Sequence, residues 1–162
     1  MIIGNSNARG ISQELNDRDV VATGFTYPGA TLNRLTQSVK MTTPKDTQNP
    51  PDAVVIMGGD IECKDGVPAA NTVARYEHLI DEVRHTYPLT PLIIPGLPQA
   101  GNQHRRQTIR EVNHRLEVMA SDERLITFIA NDNAKLRDSI HMTSSAKCRL
   151  SATISNVVKK FF

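Results

Sequence analysis

Along this chain, short β-branched runs alternate with longer stretches in which apolar residues recur every three or four positions. Ile2-Ile3, ended by Gly4, predicts a first strand. Ala8 to about Leu15 predicts a short helix, and Val20-Val21-Ala22, closed by Gly24, a second strand. Tyr27-Pro28-Gly29 reads as a turn, and Thr31 to Lys40 as a helix with Leu32 and Leu35 inward. The polar, proline-containing segment from Thr42 to Pro51 reads as a loop. The run Ala53-Val54-Val55-Ile56-Met57, ended by Gly58-Gly59, has the pattern of a central strand covered on both faces. Asn71 to Thr86 follows as an amphipathic helix with Val73, Tyr76, Leu79, Ile80 and Val83 on one side. Leu92-Ile93-Ile94 is the fourth strand. Gln103 to Ala120 is a helix burying Ile109, Val112, Leu116 and Met119. Leu125 to Ile129 is the fifth strand, and Thr143 to Phe161 a closing helix.

Five strands alternating with helices predict an α/β fold with a parallel sheet and right-handed crossovers. A strand order of 2-1-3-4-5 would open a crevice between the first and third strands, at their carboxyl ends. A strand that starts with no lead-in also predicts a domain excised from a longer polypeptide.

Composition narrows the function only by exclusion. In 162 residues, 39% hydrophobic and 22% charged, the formal net charge of +2 gives no general case for nucleic acid or a membrane surface. Trp is absent and aromatic residues make up 4%, so no base-stacking platform is expected. Cys63 and Cys148 are too few for a disulfide framework and lack metal-ligand spacing. No apolar run spans a bilayer, and no export signal is visible, which makes the cytoplasm the default location. His104-Arg105-Arg106 with Arg110, His114 and Arg115 forms a basic stripe, but Glu111 and Glu117 interrupt it and a solvated helix face explains it. His78, His85 and His114 are expected on helix surfaces.

The candidate chemistry sits just after the strands. Ser6 follows the first strand at a turn into a helix N-terminus, where its hydroxyl would stand at the sheet edge as a nucleophile or serve as an N-cap. Asp138-Ser139-Ile140-His141 follows the last strand. A carboxylate three residues before a histidine can orient the imidazole as a general base, or the segment can be a surface turn capping a helix. Gly58-Gly59-Asp60-Ile61-Glu62 ends the central strand, with its carboxylates either near the pocket or capping the next helical turn. Gly29 offers a backbone N–H, or only a turn. Cys63 lies nearby with no base to activate it.

Taken in order, Gly4-Asn5-Ser6, Gly29, Gly58-Gly59-Asp60 and Asp138-Ser139-Ile140-His141 resemble the SGNH (GDSL-like) hydrolase family. The resemblance implies a flavodoxin-like three-layer fold and carboxylic-ester hydrolysis without a metal or other cofactor. It makes Ser6 the nucleophile, His141 the base and Asp138 its orienter, with Ser6, Gly29 and Asp60 at the oxyanion hole. Asn5, Asn7 and Gly59 are expected to support the pocket. The partner would be a small ester, acetyl or another short acyl, with nucleic acid not expected for this domain. The compact chain also resembles the esterase domain of some non-LTR retrotransposon first-ORF proteins.

Two positions depart from the family pattern. Its first block reads Gly-Asp-Ser, where this chain has Asn5, and its third supplies an Asn whose NH₂ faces the oxyanion, where this chain has Asp60. An ionised carboxylate only accepts hydrogen bonds. Asp60 would therefore be protonated by burial, or turned away, or mark a site that binds without catalysing. The exchange is reciprocal, which predicts that Asn5 and Asp60 are neighbours.

Overall fold

In the computed structural model, which describes residues 1–42 and 49–161, strands and helices alternate as β1 (Ile2–Gly4), α1 (Ile11–Asn16), β2 (Gly24–Thr26), α2 (Leu32–Thr42), β3 (Val54–Met57), α3 (Asp60–Lys64), α4 (Ala69–Thr86), β4 (Leu92–Pro95), α5 (Gln103–Asp122), β5 (Ile126–Ile129) and α6 (Ser144–Val158). The five strands are parallel and ordered β2-β1-β3-β4-β5, as the sequence pattern predicts.

Period-two alternation divides the side chains of the central strands between two cores. Ile3, Val54, Ile56, Leu92 and Ile94 pack with Leu35, Tyr76, Leu79, Val83, Ile109 and Leu116 on the face covered by α2, α4 and α5. Ile2, Val55, Met57 and Ile93 pack with Ile11, Leu15, Leu150 and Ile154 on the face covered by α1 and α6. Covering both faces explains why β3 is buried at all four positions and why its sequence is uninterrupted apolar. Each such side chain contributes roughly 1.5–3 kcal/mol through burial.

Two expected elements differ. The second strand is not Val20-Val21-Ala22 but Gly24–Thr26, paired with β1 through Ile2↔Gly24 and Gly4↔Thr26. It is an edge strand, so the backbone ladder to β1 sets its position, and Val21 is left 98% exposed. The helix expected from Ala8 to Leu15 is split: Ser6–Ala8 forms one 3-10 turn, and Gly10, at φ +85°, resets the backbone before α1 begins at Ile11. Most of the expected loop from Thr42 to Pro51 lies outside the described residues.

Candidate active site

Register places the loops of interest at one edge. Gly4 pairs with Met57 across β1 and β3, so the turns that follow these strands leave the sheet side by side at its carboxyl end. Gly4 admits the first turn because a Cβ there would lie 2.6 Å from Ala8 Cβ and 2.7 Å from Met57 O. Asn5, not Ser6, caps the 3-10 turn by accepting from the Asn7 N–H at 3.0 Å. That leaves the Ser6 hydroxyl uncommitted to the cap, and the Ser6 N–H, first in its turn, has no intrahelical acceptor.

Across the sheet, β5 leads into a loop closed on itself. Leu136 bridges Met142, the Arg137 N–H donates to His141 O at 2.8 Å, and the Thr143 N–H to Lys135 O at 2.9 Å. Thr143 then caps α6 through the Ala146 N–H. Within the loop, Asp138 Oδ1 accepts from the Ile140 and His141 N–H groups at 2.8 and 2.7 Å, and Oδ2 lies 2.8 Å from His141 Nδ1. The His141 backbone and ring donors, with the Ile140 N–H, hold the Asp138 carboxyl well below the usual carboxylate range. An ionised acceptor at Nδ1 fixes the tautomer that leaves Nε2 available as a base. Among the described residues no hydrogen bond joins Ser6 Oγ to His141.

Asn7 ties these two loops together. Its Oδ1 accepts from the Met142 N–H at 2.9 Å and its Nδ2 donates to Ile140 O at 3.1 Å, so one buried amide grips the backbone on both sides of His141. Lys147 Nζ, donating to Arg9 O at 2.9 Å, fastens α6 to the same turn. The family resemblance implies only that Asn7 supports the pocket; its bridge to residues 133 and 135 positions away has no local signal.

The loop after β3 brings Asp60 under the Ser6 turn. Asn5 and Asp60 are neighbours: Asn5 Nδ2 donates to Asp60 Oδ1, and both residues are buried. Asp60 Oδ2 is buried without a hydrogen-bond partner. Burial pushes the Asp60 carboxyl up from its ordinary value; the Asn5 bond, a backbone N–H, Arg105 and His141 pull the other way without reversing it. Gly59, at φ +90°, turns the chain into α3, while the Tyr76 hydroxyl donates to Gly58 O beneath it. A cavity of about 20 Å³ adjoins Asp60, between Asn5, Asn7, Gly96 and Asn131. A larger groove, about 650 Å³, opens at the amino ends of the strands, but neither Ser, His nor Cys lines it.

Gly29 sits at the third position of a turn in which the Ala30 N–H donates to Tyr27 O at 3.1 Å. Its φ of +67° and the preceding Pro28 are those of a type II turn. Glu62 does not face the pocket. It is buried and accepts from the Leu32 N–H at 2.7 Å, with Arg75 Nη1 at 3.4 Å, so it anchors the start of α2 and thereby the Gly29 loop. Asn113, which the sequence pattern did not single out, clamps both the N–H and the carbonyl of Leu97 at 2.8 Å and donates to Asp132 at 2.7 Å, fixing the loop after β4. Burial pushes the Cys63 thiol up to about 12, consistent with an unreactive core residue. His78, His85 and His114 are exposed on their helices, and Arg115 pairs with Glu111 at 2.7 Å along α5. Among the described residues no group of His, Cys, Asp and Glu is arranged to hold a metal ion, and no helix is long and apolar enough to cross a membrane.

No family model and no curated protein matches this chain. Solved structures do. A GDSL-like lipase from Bacteroides thetaiotaomicron superposes with a TM-score of 0.80 at 18% identity, over 99% of this chain and 87% of that one. An acetyl xylan esterase gives 0.74 at 13% identity, over 97% and 98%. An SGNH-hydrolase family esterase gives 0.63 at 16% identity, over 98% and 93%. Strand order, the helices on both faces and these superpositions together show that the chain has the fold of the SGNH, or GDSL-like, hydrolases.

Proposed function

We propose that this protein is a serine esterase that hydrolyses short acyl esters. The observation that carries the reading is the Asp138–His141 pair, held by Asn7 beside the turn that presents Ser6. Ser6 Oγ attacks the ester carbonyl as His141 Nε2 takes its proton; the Ser6–His141 hydrogen bond is made when substrate binds, as is usual for sites that tighten on their ligand. Asp138 stays ionised and stabilises the imidazolium. The Ser6 and Gly29 N–H groups and the Asp60 carboxyl surround the oxyanion. His141 then returns the proton to the leaving alcohol, and water, deprotonated in turn by His141, releases the acid from the acyl-serine. The likeness to an acetyl xylan esterase supports a short acyl group.

A second reading, favoured by Asp60 itself, is a catalytically weak module that binds a ligand on the same scaffold. Hydrolysis of p-nitrophenyl acetate by wild type, Ser6→Ala and Asp60→Asn separates them. Turnover by wild type that Ser6→Ala abolishes supports the esterase. Background rates in wild type with a gain in Asp60→Asn support a site that has lost its oxyanion donor, and background in all three overturns the esterase.

A further inference from the structure

We infer that Asp60 works as a carboxylic acid rather than a carboxylate, with Asn5 holding its Oδ1 so that a proton on Oδ2 is donated to the substrate oxyanion. The inference rests on the esterase reading. It follows from the orientation of one amide. Asn5 Oδ1 is committed to the Asn7 N–H, so the NH₂ of Asn5 is the end that faces Asp60. Asp60 Oδ1 is thus an acceptor, whichever way the proton is placed. Oδ2 is buried in a residue only 5% exposed and has no partner. As half of a carboxylate it would carry charge, desolvated, with no hydrogen bond, which is costly. As a hydroxyl it is a donor awaiting an acceptor, and the sheet-edge position beside Ser6 is where an oxyanion forms.

Other groups facing Asp60 do not reverse this. Glu62 and Cys63 share its helix, and Tyr76 contributes from α4 a hydroxyl bound to Gly58 O. Arg105 from α5 and His141 from the β5–α6 loop favour the anion, yet burial outweighs both. Among the described residues Arg105 makes no ion pair with Asp60, and its Nε and Nη2 are themselves without partners. The reciprocal placement of Asn5 and Asp60 is then functional: the amide that would otherwise donate to the oxyanion instead holds the acid that does.

This arrangement predicts an alkaline limit to catalysis. Once Asp60 ionises, the donor becomes a repelling charge, so turnover falls as pH rises through its raised pKa. The test pairs an activity-independent readout with pH–rate profiles. Infrared difference spectra of wild type against Asp60→Asn should show a protonated carboxyl C=O band at neutral pH. The kcat of wild type should fall on the alkaline side, and that fall should be absent in Asp60→Asn, whose amide cannot ionise. Asp60→Ala should lose on the order of 10²–10³ in kcat at pH 7. Absence of the protonated band, or Asp60→Ala turning over like wild type, would overturn the inference while leaving an active esterase. Absence of turnover in wild type and every variant would overturn the esterase reading itself, and the donor role with it.

Discussion

Replacing Asn7 by Ala should unfasten the proposed base, His141, from the proposed nucleophile, Ser6, without touching either. The side chain is 6% exposed and makes two hydrogen bonds, to the Met142 N–H at 2.9 Å and to Ile140 O at 3.1 Å. Losing each bond costs about 0.5–1.5 kcal/mol, and leaving the buried Met142 N–H unpaired adds about 1–3. Because those terms overlap, the expected loss is roughly 2–4 kcal/mol, or about 5–15 °C in Tm for a domain of this size. The kinetic effect is separable. A shift of His141 by about 1 Å is worth on the order of 10² in rate, so kcat should fall about 10- to 100-fold with little change in KM. Urea unfolding and p-nitrophenyl acetate kinetics on the same preparations measure both. Asn7→Asp is the companion variant: it keeps the acceptor for Met142 but sets a carboxylate against Ile140 O, and should be at least as damaging. A loss below 0.5 kcal/mol together with kcat within twofold of wild type would refute the idea that this amide couples the loops.

Further outcomes follow from individual atoms. Gly4→Ala forces a Cβ to within 2.7 Å of the Met57 carbonyl, which backbone cannot relieve cheaply; it should cost about 2–3 kcal/mol in denaturant melts and abolish turnover. The raised pKa of Asp60 means that between its unfolded and folded values the native state binds the extra proton. Its contribution to stability is therefore fully present below the unfolded carboxylate pKa and lost as pH rises through the folded one, at about 1.4 kcal/mol per unit of displacement. The stability of Asp60→Asn relative to wild type should accordingly grow with pH across that window, and a pH-independent difference would contradict it. In native protein at pH 8, a thiol reagent should modify the half-buried Cys148 well before Cys63, which should react only after denaturant is added.

The parts of the fold legible in sequence were those where burial alone decides the residue type. The runs Val54–Met57 and Leu92–Pro95 are buried at every position between helices, so an apolar sequence and a strand coincide there. β2 was misread because an edge strand is selected by hydrogen bonding to β1, and the more β-like Val20-Val21-Ala22 lies just outside that ladder. The break at Gly10 was hidden because a left-handed residue between two helical turns preserves the apolar spacing of Ala8, Ile11 and Leu15. At the candidate site, the Asp138–His141 geometry is local and readable from a three-residue spacing. The exchange of Asn5 and Asp60 was readable as a pair of departures from one pattern. The tasks of Asn7, Glu62 and Asn113 were not, since each grips backbone far away in sequence.

The bridge from Asn7 to the loop around His141 also bears on how the proposed site is assembled. The turn that holds the proposed nucleophile lies at Ser6 and the proposed base at His141, so the Asn7 bridge closes a loop of about 135 residues. The entropy of such a closure grows only logarithmically with length, and the packing of Ile11 and Leu15 against Leu150 and Ile154 is what opposes it. All five strands and α1 to α5 precede α6 in the chain, yet the Asn7 bridge forms only when the Ser6 turn and the loop before α6 come together. The proposed pairing of Ser6 with His141 is therefore a long-range product of the fold, dependent on the packing of α1 against α6 rather than on either local segment.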